Sequence, residues 1–278
     1  MKPKKILTPI DFSACSVRAL KVAARLAGEW KAKLIVMNAC QKPVAYADAS
    51  VTGYSRDLVR EAESHAKSAF ERVSESVNEL KNLDYTFVVK HAFPQDAIIS
   101  LAIMEEVDLL VMGTTGASGF KGILMGSNTY TVAKNVECPV LAIPEMAEPG
   151  KGFGKIVLAG DYKDTASKET FSLLTELARL DESEIHVLHI SEAPTMNREE
   201  WEEAQILDRY FKRLRHYFHF RLDDDIDEGI SEFIQENEID LLVLIARKHK
   251  LLDRLFNGST TRRMAYHAKI PFLILHSK

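Results

Sequence analysis

The stretch with the clearest chemical potential reads Gly113-Thr114-Thr115-Gly116, then nine residues, then Gly126-Ser127 ahead of a helical pattern that runs through Ala133. Residues of these types at this spacing suit anion binding. Backbone N–H groups at a helix N-terminus carry partial positive charge, and glycines let a phosphate approach the main chain. Ser127 either donates its hydroxyl to a phosphate oxygen or caps the helix. The dipole alone contributes about 0.3–2 kcal/mol, so several N–H donors must converge. The loop lacks the lysine of a Walker A sequence and does not read G-x-G-x-x-G, which argues against both of those phosphate sites. A lone G-x-x-G also occurs in ordinary turns. Its place after an apolar run, where open α/β sheets bind ligands, favours the functional reading.

The loop needs a strand before it and a helix after it, and the sequence supplies them twice. Lys5-Ile6-Leu7-Thr8-Pro9-Ile10-Asp11 is echoed by Lys155-Ile156-Val157-Leu158-Ala159-Gly160-Asp161, and 34–39 by 185–190. Val107–Met112 is echoed by Ile239–Leu244, and Cys138–Ile143 by Ile270–Leu275. The offset falls from 150 at the first block to 132 at the last two, so the second copy is 18 residues shorter. That deletion lies between its second and fourth strands. Each block is a continuous apolar run, as expected of strands buried on both faces of a parallel sheet. Helical patterns alternate with them. One spans about 14 to 28, with Ser13 as N-cap, Val17, Leu20, Ala24 and Ala27 facing in, and Gly28 near a left-handed end. Others span about 57–81 and 95–106. Alternation of this kind predicts right-handed βαβ crossovers and a doubly wound parallel sheet in each half. The Pro/Gly-containing stretch 145–152 reads as a linker, which gives domains at 1–146 and 147–278.

Bulk properties narrow the partners. The net charge of -4 and pI near 6.2 give no electrostatic case for nucleic acid. No segment approaches the roughly 20 apolar residues needed to span a bilayer, and the N-terminal apolar stretch is short for a signal peptide. Cys15, Cys40 and Cys138 form no C-x-x-C pair, which fits a reducing compartment. Together these point to a soluble cytoplasmic protein with neither a membrane nor a nucleic-acid partner.

The pattern Gly113-x2-Gly116-x9-Gly126-Ser127, with Pro9-Ile10-Asp11-x-Ser13 before it and Cys138-Pro139-Val140-Leu141 after it, resembles the universal stress protein (UspA-like) family. The resemblance covers nearly the whole chain as two tandem domains, and it points to the family's ATP-binding branch. It implies Rossmann-like domains of the adenine-nucleotide α-hydrolase type and ATP, with or without magnesium, in the first copy. Asp11 would lie near the adenosine, the backbone at Ala39 against the adenine edge, and Gly113 by the ribose. Gly116, Gly126, Ser127 and Asn128 would surround the phosphates, with Met112 also in the ligand set. Asp11 has a second reading, as a residue that helps cap the first helix. The family resemblance further implies pairing through last strands. Val140–Ile143 and Phe272–Leu275 would then cover one another within one chain, and a homodimer of chains is compatible with that arrangement.

The second copy departs from the pattern. Ala246-Arg247-Lys248-His249, eight residues, then Gly258-Ser259 replaces both glycines of the first pair and shortens the spacing by one. A Cβ at either position would crowd a phosphate. No nucleotide or other cofactor is therefore expected in this half, although Asp161 and Gly258-Ser259 survive. The basic run Arg247–Lys250, with Arg254, Arg262 and Arg263, reads either as a solvated surface or as a receiver for another anion or acidic partner. Seven of nine histidines fall in this half. His186 and His189 stand three apart on a strand and must face opposite ways. The repeat makes His219 a strand residue, with Phe218, Phe220 and Leu222 facing in while His219 and Arg221 face out. No metal site is expected.

No catalytic triad or carboxylate pair can be argued from spacing, and the loop from Gln41 to Tyr54 offers only Tyr46 and Asp48. Three functions remain in view: a nucleotide-binding stress-response regulator without enzymatic activity, which the complete loop favours; a slow ATPase; and a scaffold stabilised by nucleotide.

Overall fold

The structure, a computed structural model, describes residues 2–40, 52–115, 126–148, 150–160, 170–191, 193–246 and 270–276, with side chains from 57 onward in the second of these segments. In the first half β1 (Lys5–Pro9), β2 (Lys33–Ala39), β3 (Tyr85–Lys90), β4 (Leu109–Gly113) and β5 (Val140–Ile143) alternate with α1 (Ala14–Trp30), α2 (Thr52–Ser76), α3 (Pro94–Met104) and α4 (Ser127–Asn135). In the second half come β6 (Lys155–Ala159), β7 (Glu184–Ser191), β8 (Arg215–Leu222), β9 (Leu241–Ala246) and β10 (Phe272–His276), with α5 (Ser172–Leu180), α6 (Arg198–Phe211) and α7 (Ile226–Glu236) described among them.

The ten strands among the described residues form one sheet in the order β3-β2-β1-β4-β5-β10-β9-β6-β7-β8. Pairing is parallel within each half and antiparallel only at the seam, where Phe272, Leu273 and Ile274 oppose Ala142, Leu141 and Val140. These six seam residues are fully or almost fully buried, so neither last strand presents an open edge. Side chains alternate between two apolar layers that run under both halves. Ile6, Leu34, Val111, Leu141 and Leu273 enter the layer packed by α1, α5 and α6; Leu7, Ile35, Met112, Val140 and Ile274 enter the layer packed by α3, α4 and α7. Continuous apolar strand sequences follow directly from burial on both faces.

Helix ends are set by local chemistry. Ser13 caps α1 by accepting the Ser16 N–H, and Asn197 with Glu200 forms a reciprocal capping box on α6. Gly28 does not end α1. The helix continues to Trp30, whose ring is buried, and Lys31 takes the left-handed position instead. Burial of Trp30 outweighs the ease with which glycine would turn. The second helix begins and ends about five residues earlier than the pattern suggested, because a short 3-10 turn, Asn78–Leu80, takes over its last stretch.

The halves differ most at the outer edge. Parallel register equates Val36–Phe87 with Val187–Phe218, so Phe218 is the counterpart of Phe87 and the deletion falls between β7 and β8. The helix before β3 has 25 residues and the one before β8 has 14. Phe70 of α2 stacks on Phe87 at 4.1 Å between ring centroids. The expected orientation of β8 is overturned: Phe218, Phe220 and Leu222 are 39%, 40% and 59% exposed, while His219 and Arg221 are half-buried beside α7. The shortened α6 leaves the aromatic face uncovered.

Candidate functional site

Pro9, Ala39 and Gly113 end three neighbouring parallel strands, and all three border one cavity of about 360 Å³. Asp11 from the β1–α1 turn, Ser16 from the first turn of α1, Met37 and Ala39 from β2, and Met112 to Thr115 at and just beyond the end of β4 line it. Pro94 and Ile98 of α3 and Gly126 to Thr129 at the start of α4 close it. The volume lies within the range of ligand pockets, and the place is the carboxyl end of the sheet.

Asp11 is held rather than merely present. Ser13 donates to its Oδ1 through both N–H (3.1 Å) and Oγ (2.6 Å), while the Asp11 N–H donates to Ser16 Oγ at 3.3 Å. Phe12 between them sits at φ 64°, a left-handed conformation that non-glycine residues rarely adopt and that turns the chain sharply here. Asp11 thus takes part in the capping network of α1 and also borders the cavity. It is the one ionisable residue among the described residues that line it.

On the opposite wall, Gly126 rather than Ser127 occupies the N-cap of α4, and as a glycine it brings no side chain of its own to cap the helix. The first turn contains no acidic residue, and the positive end of α4 borders the cavity. The Gly126 N–H donates to Thr114 O at 2.5 Å, and Thr129 Oγ1 donates to Gly113 O at 2.8 Å, which pin the helix to the end of β4. Gly113 has its own steric reason. A Cβ there would lie 2.8 Å from Cys15 Sγ and 3.2 Å from the Cys15 carbonyl carbon, so α1 can approach β4 only because this residue is glycine.

Asp11, Ala39, Met112, Gly113, Gly126, Ser127 and Asn128 all border this cavity; Gly116 lies outside the described residues. Sequence reasoning did not single out Thr114, Thr129, Pro94 and Ile98. A proline opening α3 just after β3 was the available signal. Buried Asn38, whose Nδ2 donates to Ile10 O at 2.7 Å, shapes the same strand ends from behind.

Elsewhere the chemistry is weaker. Burial pushes the Cys138 thiol up to about 12 and raises Cys40, with Glu63 adding to the latter, so neither is poised as a thiolate. A larger cavity, about 670 Å³, opens near Asp108, Cys138 and His276 at the amino ends of β4 and β5, the end of the first half's strands away from its loops. Among the described residues no group of three or more His, Cys, Asp or Glu could hold a metal ion. His186 and His189 do face opposite apolar layers, with Phe233 beside the first and Phe220 beside the second. In the second half Ala246 ends β9, while Asp161, Arg247 to Lys250, Arg254, Gly258-Ser259, Arg262 and Arg263 fall outside the described residues, as do Tyr46 and Asp48.

The profile of the universal stress protein family matches residues 2–144 and again 152–276. The chain belongs to that family. Universal stress protein MJ0531 of Methanocaldococcus jannaschii is 31% identical over 141 residues, covering 50% of this chain and 81% of that protein. Universal stress protein YxiE of Bacillus subtilis is 28% identical over 146 residues, covering 50% and 97%. Each of these relatives therefore spans about half of this tandem chain. A universal stress protein of Archaeoglobus fulgidus superposes over 100% of both chains with a TM-score of 0.74 at 16% identity, a likeness of fold. No helix among the described residues is long and apolar enough to cross a membrane.

Proposed function

We propose that this universal stress protein is a nucleotide-binding regulatory module that holds ATP in the first of two domains, 1–146 and 147–278. One observation carries the reading: Asp11, Ala39, Met112, Gly113, Gly126, Ser127 and Asn128, chosen from the sequence and the family resemblance, converge on one cavity at the N-terminus of α4. The first turn of α4, with Ser127 and Asn128, receives phosphate oxygens, and Gly116 is assigned to the same phosphates. Asp11, fixed by Ser13, faces the adenosine, and the backbone at Ala39 meets the adenine edge. Apolar Met37, Ile98 and Met112 suit a base and sugar. Magnesium, if it accompanies the nucleotide, is held by the phosphates.

The reading assigns no turnover, because Asp11 is committed to Ser13 and stands with the adenosine rather than the phosphates. Bound nucleotide instead favours one conformation or assembly of the chain by its differential affinity for it. Equilibrium titration of the full chain with a fluorescent ATP analogue tests the site. Gly126→Val places a Cβ 3.0 Å from Thr114 O and displaces the start of α4, so affinity should fall at least about tenfold, or 1.4 kcal/mol. An unaltered melting midpoint separates loss of the site from loss of the fold. Wild-type affinity in that variant overturns the assignment, and steady phosphate release by the native chain overturns the non-enzymatic reading.

A further inference from the structure

Edge strands with open hydrogen-bonding groups and apolar side chains are templates for another strand, and natural proteins shorten, charge or cover them. β8 is eight residues long, forms the outer edge of the sheet, and carries Phe218, Phe220 and Leu222 on the face that α6 is too short to cover. Tyr217, on the other face, is 48% exposed. The Asp223 N–H donates to Ser191 O of β7 at 3.1 Å, so odd-numbered positions of this strand bond inward. By alternation the N–H and C=O groups of His216, Phe218, Phe220 and Leu222 point outward, unused by the sheet.

We propose that two copies of this chain pair through β8, antiparallel about a two-fold axis at His219, joining their sheets. The register follows from charge and parity. A two-fold normal to the sheet keeps each face on its own side, so opposed positions must both be odd or both be even. Centring on His219 sets Phe218 opposite Phe220 twice, His216 opposite Leu222 twice, and Tyr217 opposite Arg221 twice. It also sets Arg215 of one copy opposite Asp223 of the other. Aromatic pairs and opposite-charge pairs directly across an antiparallel ladder each favour pairing. Centring on Phe218 puts Arg215 against Arg221, and centring on Tyr217 puts Arg213 against Arg221; since Arg215 is paired with Glu184 and Arg221 with Glu232 and Glu236 in their own copy, these registers gain no cross-strand ion pair and lose the Phe218–Phe220 pairs. Centring on Phe220 leaves only positions 218–222 within the strand. The other outer strand, β3, lacks this character because α2 covers its Phe87. The second copy is thus shortened where it exposes a self-complementary edge.

The experiment is the solution mass of the full chain by light scattering and sedimentation, with three variants. The native chain should run at twice its 31.3 kDa, and Phe220→Lys should return it to a single copy without loss of helical signal. A native chain that is monomeric at high micromolar concentration overturns the proposal, as does a dimer that Phe220→Lys leaves intact. The register has its own readout. Positions facing across a non-hydrogen-bonded antiparallel pair lie about 4.5 Å apart by Cα, within disulfide reach. Under mild oxidation His219→Cys should give a covalent dimer that peptide mapping assigns to position 219, whereas Tyr217→Cys should give none at position 217. The reverse pattern, or no linkage at 219, overturns it.

Discussion

Gly113 does two jobs at one atom. It borders the cavity, and it lets α1 sit against β4 because hydrogen stands where a Cβ would meet Cys15. Gly113→Ala should therefore destabilise the fold by about 1–3 kcal/mol through overpacking, measured by urea unfolding, even with no nucleotide present. A neutral result would mean that α1 can withdraw freely. Motif matching named Gly113 for its ligand, and the packing reason became visible only with the position of Cys15. Asp11 shows a similar doubling: Ser13 holds its carboxylate in the capping network of α1, and the cavity in which a ligand contact is proposed lies beside it. The capping reading of Ser127 is overturned, because Gly126 takes the N-cap and leaves its neighbour at the first helical position.

Strands were the most legible elements, because unbroken apolar runs such as Leu109–Met112 leave little choice of environment. Helix limits were less so: Trp30 draws α1 past Gly28, a tertiary effect that propensity cannot register. The faces of β8 were misread for a related reason. Alternation is visible in sequence, but which face is covered depends on the length of the helix above it. The inner face instead carries a hydrogen-bonded histidine pair, His186 Nδ1 and His219 Nε2 at 3.0 Å, with Phe233 of α7 against both rings. Burial pushes both below the ordinary histidine value, and the neighbouring ring adds to this for His186, with Lys155 lowering and Glu184 raising it. Arg221 on the same face is tied to Glu232 and Glu236. The unfolded chain then takes up protons near pH 6.5 before the folded one does, so stability should hold above that pH and fall as pH drops from about 7.5 towards 5.5. The fall levels off once the folded pair also protonates. Denaturant midpoints across that window test it, and His219→Gln should flatten the slope; a midpoint that rises on acidification contradicts the sign.

At the scale of the molecule, the halves are bound by more than the seam. Arg25 of α1 forms a forked pair with Asp181 beyond α5, at 2.8 and 3.3 Å, and the same carboxylate accepts the Phe153 N–H at 2.8 Å. With the two side chains 19% and 8% exposed, this pair is largely desolvated. Arg25→Met should cost about 3 kcal/mol, the lower end for stranding a buried charge. Because both apolar layers run through both halves, the loss should appear in one shared transition. With exposed Trp201 replaced by Phe, fluorescence of buried Trp30 in the first half and far-UV circular dichroism of the whole chain should give the same midpoint. Separate midpoints would mean that the halves unfold independently. The antiparallel seam has one more consequence. Since the strands of the two halves run in opposite directions, their loop-bearing rims lie at opposite ends of the sheet. A molecule on one rim cannot touch a molecule on the other, so any communication must pass through the sheet or through the helices that Arg25 and Asp181 join. Sliding along the seam is a poor messenger, because a one-step shift would carry Leu141 and Leu273 into the wrong layer. A change of sheet twist, by contrast, would be felt by both rims at once.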